Sequence, residues 1–369
     1  MRSLFLTLRV FSAMGGIEKV SRLVAKALYE LKNAGNKNSV AVLSMYDPES
    51  SVDEKYFPAT IFKGYNQHKS SFVVEAIKQG KNCDVVILSH VNLLLPGYLI
   101  KLFSKKTKIV LIAHGIEVWS KFSFLKRWML QRCDHIFAVS NFTKSTMVTV
   151  HQLDKNKISV LNNCLDPFMQ LPIKAAKNID LLNRYNLHSD DIVLLTITRL
   201  SSSEQYKGYD NVLYAIKELK QKQPRIKYII AGKYDVAEKE RIQHIITELE
   251  LEDNIIIPGF IPDDELALHF NIADIYIMPS KKEGFGIIFI EALYFGKPVI
   301  AGNIDGSVDA LDNGKFGLLV NPDHQSEKLA ALDEVIENMQ KYIPDHDAVM
   351  NKFSYPVYKN NFKNLLEKL

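Results

Sequence analysis

Two glutamates eight positions apart bracket an apolar segment, Glu283-Gly-Phe-Gly-Ile-Ile-Phe-Ile-Glu291. Just upstream a short apolar run, Asp274–Met278, ends at Pro279, and a helix should begin near Gly286. Glu283 then sits in a loop at the carboxyl end of a strand, with Glu291 one to two turns inside the helix. A carboxylate accepts hydrogen bonds from two vicinal hydroxyls at once. Gly284 and Gly286 let a ligand approach the backbone closely, and the free N–H groups at a helix start suit phosphate oxygens. The plainer alternative makes Glu283 a helix-start charge and Glu291 a solvated helix residue. An uncompensated carboxylate in so apolar a context would be costly.

A second constellation is Arg199 and Lys207, in a loop between the run Ile192–Thr198 and a helix starting near Tyr209. Two cations at a strand end can neutralise a leaving diphosphate without a metal. Read without context, Lys207 is an exposed lysine before a helix. Gly15 and Gly16 lie between the first apolar run and the first helix; the segment is not G-x-G-x-x-G, which disfavours a nicotinamide cofactor. His114 follows the run Lys108–Ala113 and could hydrogen-bond a hydroxyl, or be a satisfied structural histidine; His90 is a second candidate of the same kind. Asp345-His-Asp347 has D-x-D metal spacing but lies between helical segments, away from any strand end, and reads as a solvated turn.

The elements that must position these residues alternate. Ser3–Val10, Ser39–Met45, Asp84–Ser89, Lys108–Ala113, His135–Ser140 and Lys157–Leu161 read as buried strands. Helix-like stretches such as Ile17–Asn33, Ser70–Gln79, Trp119–Arg132 and Asn141–His151 lie between them. The rhythm restarts with Ile192–Thr198, Ile226–Ala231, Asn254–Ile257, Asp274–Met278, Lys297–Ala301 and Gly317–Val320. Such alternation predicts parallel, doubly wound sheets covered on both faces. Asp166–Asn178, with Pro167 and Pro172, is the linker candidate. The expected domains are 1–166 and 175–352, with a last amphipathic helix over 355–369 crossing back to the first. Two such sheets joined by a hinge would place a ligand cleft at the carboxyl ends of the strands, where the domains face each other.

With 369 residues, 47% of them hydrophobic and 24% charged, the chain is long enough for two cores. No stretch approaches the roughly 18 apolar residues of a membrane span, and Ser3–Val10, interrupted by Arg9, reads as a first strand rather than a signal peptide. Three scattered cysteines point to a reducing, cytoplasmic compartment. The net charge of +4 is uneven: residues 1–170 carry +11 and the remainder −7. A basic half facing something anionic is one reading and evenly solvated lysines the other. The basic residues are not interleaved with aromatics in a recognisable nucleic-acid module, so no nucleic-acid partner is expected. Trp119–Arg132 mixes aromatic and basic residues as an interfacial helix would.

The Glu283–Glu291 segment resembles the E-x7-E signature of retaining GT-B glycosyltransferases, above all family 4, and the resemblance extends along almost the whole chain. It implies the GT-B α/β fold: two Rossmann-like, doubly wound parallel-sheet domains facing across a cleft. It implies that Glu283 meets the transferred sugar, Glu291 the ribose hydroxyls, and the backbone of Gly284, Phe285 and Gly286 the sugar and diphosphate. Arg199 and Lys207 resemble the family's Arg-Leu…Lys-Gly loop, although Thr198 replaces a usual Gly and the interval to Lys207 is longer. Gly15-Gly16 resembles the loop over the donor phosphates, His114 a cleft histidine, and Phe260-Ile261 the loop whose backbone meets the base. Gly306-Ser-Val-Asp309 resembles a Gly-x-x-Glu turn with Asp in place of Glu.

The implied reaction is transfer from a nucleotide diphosphate sugar, UDP ahead of GDP, to an acceptor hydroxyl with retention. The implied setting is polysaccharide, lipopolysaccharide or glycolipid synthesis. No cofactor or metal is expected. The acceptor would be a glycan or lipid-linked sugar and the location cytoplasmic, with a peripheral place on the inner membrane face. No carboxylate stands out as a nucleophile, which favours a front-face mechanism in which the leaving phosphate helps take the acceptor proton. Rival readings are a nucleotide-sugar epimerase or hydrolase on the same fold, and a catalytically inactive sugar- or nucleotide-binding regulator.

Overall fold

The computed structural model describes residues 1–33, 39–173 and 176–369. The chain divides into a first unit, Met1–Asp166 with Tyr355–Leu369, and a second, Pro167–Ser354. Residue 175, the expected start of the second domain, lies outside the described residues.

Among the described residues the first unit builds a seven-stranded sheet from β1 (Arg2–Thr7), β2 (Ser39–Ser44), β3 (Phe62–Gly64), β4 (Val85–Leu88), β5 (Lys108–Ala113), β6 (His135–Ala138) and β7 (Ile158–Val160). Their order is β3-β2-β1-β4-β5-β6-β7, with every pairing parallel. The second unit has six: β8 (Ile192–Ile197), β9 (Ile226–Ala231), β10 (Ile255–Gly259), β11 (Ile275–Met278), β12 (Val299–Gly302) and β13 (Leu318–Val320). Their order is β10-β9-β8-β11-β12-β13, again all parallel. Strands such as Val85-Val-Ile-Leu88 are buried on both faces, which is why they read as continuous apolar runs rather than alternating ones. β10 tolerates Pro258 because it is an edge strand.

Each strand order reverses once, between β1 and β4 in the first unit and between β8 and β11 in the second. At such a switch point the loops leaving the two central strands diverge to opposite faces and open a crevice at the strand ends. Gly15-Gly16 follows β1 and His90 follows β4. Arg199–Lys207 follows β8 and Glu283 follows β11.

Two features differ from the sequence expectation. β3 is a three-residue edge strand, too short to show a period. Trp119–Arg132 is not one helix: Ile116–Trp119 and Phe124–Gln131 are separated at Ser120 and Ser123, both with extended ψ near 155°. Serine hydroxyls compete for nearby backbone groups and favour helix ends over interiors. The break turns most of the segment's aromatics inward. Trp119 packs on Phe142, Phe122 on His151 and Trp128 on Tyr98, while Phe124 and Leu125 stand exposed at 85% and 61%.

The last helix, Tyr355–Leu366, packs on the first unit through Tyr355, Tyr358, Phe362 and Leu366, one helical stripe. Phe362 meets Phe137 edge-on and Lys359 pairs with Glu30 at 2.7 Å. No helix among the described residues is long and apolar enough to cross a membrane.

Candidate active site

In the second unit, β11 runs out at Pro279 and the chain turns through Ser280–Gly286 into the helix Ile287–Tyr294. Gly286 makes the entry with φ +84°, a left-handed conformation, and a side chain there would strike the Phe289 ring. The N–H groups of Gly284, Phe285, Gly286, Ile287 and Ile288 have no acceptor among the described residues, which leaves a run of donors at the helix start. Phe285 itself is 1% exposed and packs edge-on against Phe353, so only its backbone is available to a ligand. Glu291 is 2% exposed within the helix, not the solvated residue of the plainer reading.

Glu283 receives the Lys207 ammonium at 2.6 Å. Lys207 is therefore no free surface lysine: its side chain is 12% exposed. Burial opposes its charge, but the facing carboxylate outweighs that and holds its pKa above the ordinary lysine value. An ammonium has three donors, so the pair with Glu283 leaves two for other acceptors. The structure does not bring Arg199 to Glu283 in the same way. Its side chain is 72% exposed and pairs with Glu204 at 2.6 Å within the same loop.

That loop is long, yet it is pinned. Leu200 exchanges backbone hydrogen bonds with Lys233 and Asp235. Asp235 caps the helix Val236–Glu248 through Oδ1 and accepts from Ser201 and Ser202 through Oδ2. Gln205 donates to the buried Glu238 at 3.1 Å, and Tyr206 O accepts from Lys281 N–H at 2.8 Å. The extra residues between Arg199 and Lys207 thus lie on the first turn of the neighbouring helix, and Lys207 still arrives beside Glu283. On the edge strand's loop, Phe260 is exposed with Lys233 over its ring at 4.9 Å, whereas the Ile261 side chain turns into the core.

In the first unit His114 ends β5. Its Nε2 lies 2.8 Å from Ser89 O, an oxygen that can only accept, so Nε2 carries the proton and Nδ1 keeps its lone pair. Burial lowers its pKa to about 4, and the ring is neutral around pH 7. The His114 N–H donates to Glu117 Oε1 at 2.6 Å. Glu117 is itself pushed above the carboxylate range by burial, with His90 beside it. His90 is a cap rather than a free ligand: its Nδ1 accepts from Asn92 N–H at 3.0 Å. The loop bearing Gly15 and Gly16 is fixed upstream by Asp47, fully buried, which accepts from Val10 N–H at 2.6 Å and Ser12 N–H at 2.8 Å.

Sequence reasoning passed over Asp47, Glu117 and Asp305. Each is a carboxylate beside a loop rather than in a motif. Glu117 alone left a signal, a carboxylate reaching back to the backbone N–H three residues earlier, as in a capping box. Asp345-His-Asp347 is a helix start: Asp345 Oδ1 accepts from Asp347 and Ala348 N–H.

The chain is similar to known proteins along both units. Residues 14–167 match the family model Glycosyltransferase Family 4, and residues 179–351 match Glycosyl transferases group 1. The alpha-1,3/1,6-mannosyltransferase ALG2 of Dictyostelium discoideum is 24% identical over 96% of both chains. The O-antigen chain mannosyltransferase RfbU of Salmonella typhimurium is 28% identical over 66% of this chain and 60% of its own. Among solved structures, Anabaena HepE in complex with UDP superposes with a TM-score of 0.82 at 17% identity, covering all of both chains. Two models matched in order along the two units, with relatives that are sugar transferases, make this chain a hexosyltransferase of the GT-B fold and family 4 type.

Proposed function

We propose that the chain transfers a glycosyl group, with retention, from a nucleoside diphosphate sugar to the hydroxyl of a glycan or lipid-linked acceptor. The observation that carries this reading is the Lys207–Glu283 pair at the second sheet's switch point, next to the unpaired N–H groups of Gly284–Ile288. Glu283 accepts sugar hydroxyls and Glu291 the ribose. Lys207 and the N–H groups take the diphosphate and stabilise the charge that develops as it leaves. Arg199, exposed and paired with Glu204, is assigned to the outer phosphate. By the resemblance, Gly15 and Gly16 are assigned to the donor phosphates and the Phe260–Ile261 backbone to the base. His114, neutral with a bare Nδ1, accepts a hydroxyl hydrogen bond from sugar or acceptor.

The UDP bound to HepE supports a UDP-sugar, and the mannosyltransferase relatives, one of them named GDP-mannose-dependent, support GDP-mannose as the alternative. The first unit is read as handling the acceptor at an anionic surface. The exposed Phe124 and Leu125 with Lys121 and Lys126 replace the inward-turned aromatics in that role.

The test is a thermal-shift panel of UDP- and GDP-sugars, followed by transfer assays and anomeric analysis of the product. Glu283→Gln is expected to lower turnover and Glu291→Gln to weaken donor binding. Transfer should persist in excess EDTA, because Lys207 and the helix start supply the positive field. Full turnover in a folded Glu283→Gln variant would sink the assignment. Release or isomerisation of the sugar without any acceptor would make the chain a hydrolase or epimerase, and binding without turnover a regulator.

A further inference from the structure

Both main-chain polar groups of Glu283 are taken by a single dipeptide. Its N–H donates to Asp305 Oδ2 at 2.7 Å, and its carbonyl accepts from Gly306 N–H at 2.7 Å. Asp305 lies in the loop after β12 and is 1% exposed. Its other oxygen, Oδ1, accepts from Ser307 N–H at 2.9 Å. One carboxylate thus ties the loop after β11 to the short helix Ser307–Ala310. A side chain at Gly306 would run into the Gly284 carbonyl oxygen, so the dipeptide is seated directly on the Glu283-Gly284 main chain.

We infer that Asp305 is a positioning residue for the transfer reaction, fixing the main chain of Glu283 so that the carboxylate meets the donor sugar in one orientation. This rests on the assignment of Glu283 to the donor sugar made above. A carboxyl group has lone pairs on both oxygens and serves two N–H donors at once. Asparagine offers one oxygen and sets its NH2 against the other donor, and alanine offers neither. The Lys207 ammonium holds only the end of the Glu283 side chain. Without Asp305 the backbone beneath it is free to shift, and a misplacement of about 1 Å can cost ~100-fold in rate. The nucleotide end of the donor is held at Glu291, on the helix, and feels this less.

The experiment uses the full chain with Asp305→Asn, Asp305→Ala and Glu283→Gln. The donor is whichever of UDP-glucose, UDP-galactose, UDP-N-acetylglucosamine and GDP-mannose gives the largest thermal shift. Three quantities are read: donor turnover, affinity for UDP or GDP, and amide exchange of the peptide from Ser280 to Ile290. Expected are a kcat loss of about 100-fold for Asp305→Ala and about tenfold for Asp305→Asn, with nucleotide affinity within about threefold. Amide exchange should rise in the Ser280–Ile290 peptide and at Gly306 and Ser307, whose N–H groups belong to the same tie, and stay unchanged in the rest of the second unit.

Turnover of Asp305→Ala within about twofold of the unsubstituted protein, while Glu283→Gln has lost it, overturns the inference. So does an equal loss of kcat and nucleotide affinity with faster exchange throughout the unit, which marks a merely structural residue. Unchanged exchange at Ser280–Ile290 overturns it even where no donor on the panel turns over. Full turnover in Glu283→Gln instead removes the assignment beneath it, a separate outcome. Should Asp305→Ala fail to fold, the isosteric Asp305→Asn carries the same readouts.

Discussion

At the scale of single residues, what lies opposite a charge decides its behaviour. Lys207 would lose its proton more easily for being buried, yet a carboxylate 2.6 Å away reverses the direction. Among the described residues neither Asp305 nor His114 has an ion-pair partner, the Glu18 carboxylate only partly offsets burial at His114, and burial wins at both. Burial, with Glu283 close by, raises Asp305 to about 7 against the hydrogen bonds from Ser307, and burial lowers His114 to about 4. The two therefore push stability in opposite directions with pH. A raised acid binds its proton in the folded state first, so its contribution is complete below the ordinary value of 3.8 and lost as pH rises through about 7. A lowered base contributes fully above its ordinary 6.5 and loses that as pH falls toward 4. Unfolding midpoints measured from pH 4 to 8 should show both. Asp305→Asn gains on the unsubstituted protein between pH 5 and 8, and His114→Gln gains on it between pH 6.5 and 4. A difference that is flat with pH for either variant would contradict the assigned direction.

At the scale of elements, two segments show how a neighbour overrides a local pattern. The loop Arg199–Lys207 is held by Asp235 and Glu238 at the start of an adjacent helix, so extra length does not loosen the lysine it delivers. The segment Trp119–Arg132 has the composition of an interfacial helix, but the break at Ser120–Ser123 lets Trp119, Phe122 and Trp128 pack inward. What remains outside is Phe124 and Leu125 at the start of the helix Phe124–Gln131, beside Lys121 and Lys126. If this is the surface that meets anionic lipid, Phe124→Asp with Leu125→Asp should abolish binding to phosphatidylserine vesicles and leave the unfolding midpoint within a few degrees, because surface changes usually stay within about 0.5 kcal/mol. Vesicle binding should also fall as salt rises. A double variant that binds vesicles like the unsubstituted protein would show that the patch has no such role.

At the scale of the whole molecule, each sheet's strand order decides which loops meet. Reversal between β8 and β11 brings Lys207 to Glu283 across 76 residues of sequence. The last helix belongs to the unit begun by residue 1, filling a stripe with Tyr355, Tyr358, Phe362 and Leu366. Fully burying such side chains is worth roughly 1.5–3 kcal/mol each before ordering costs. Deleting residues 355–369 should therefore expose Phe137's neighbourhood, and amide exchange should accelerate in β6 and the helix Gly16–Asn33 while the second unit's β8 and β9 keep their protection. Equal acceleration in both units would deny the helix this local role. The sequence alone determined the strands, because residues buried on both faces of a parallel sheet must be apolar in a run, and it singled out Glu283 and Glu291 as candidates, because a carboxylate bracketing so apolar a segment calls for a partner. It could not decide which cation meets Glu283, since Lys207 and Arg199 are equivalent by type and only the pinned loop separates them. Nor could it find Asp305, whose carboxylate accepts from Glu283 N–H, a group 22 residues away in sequence that only folding brings beside it.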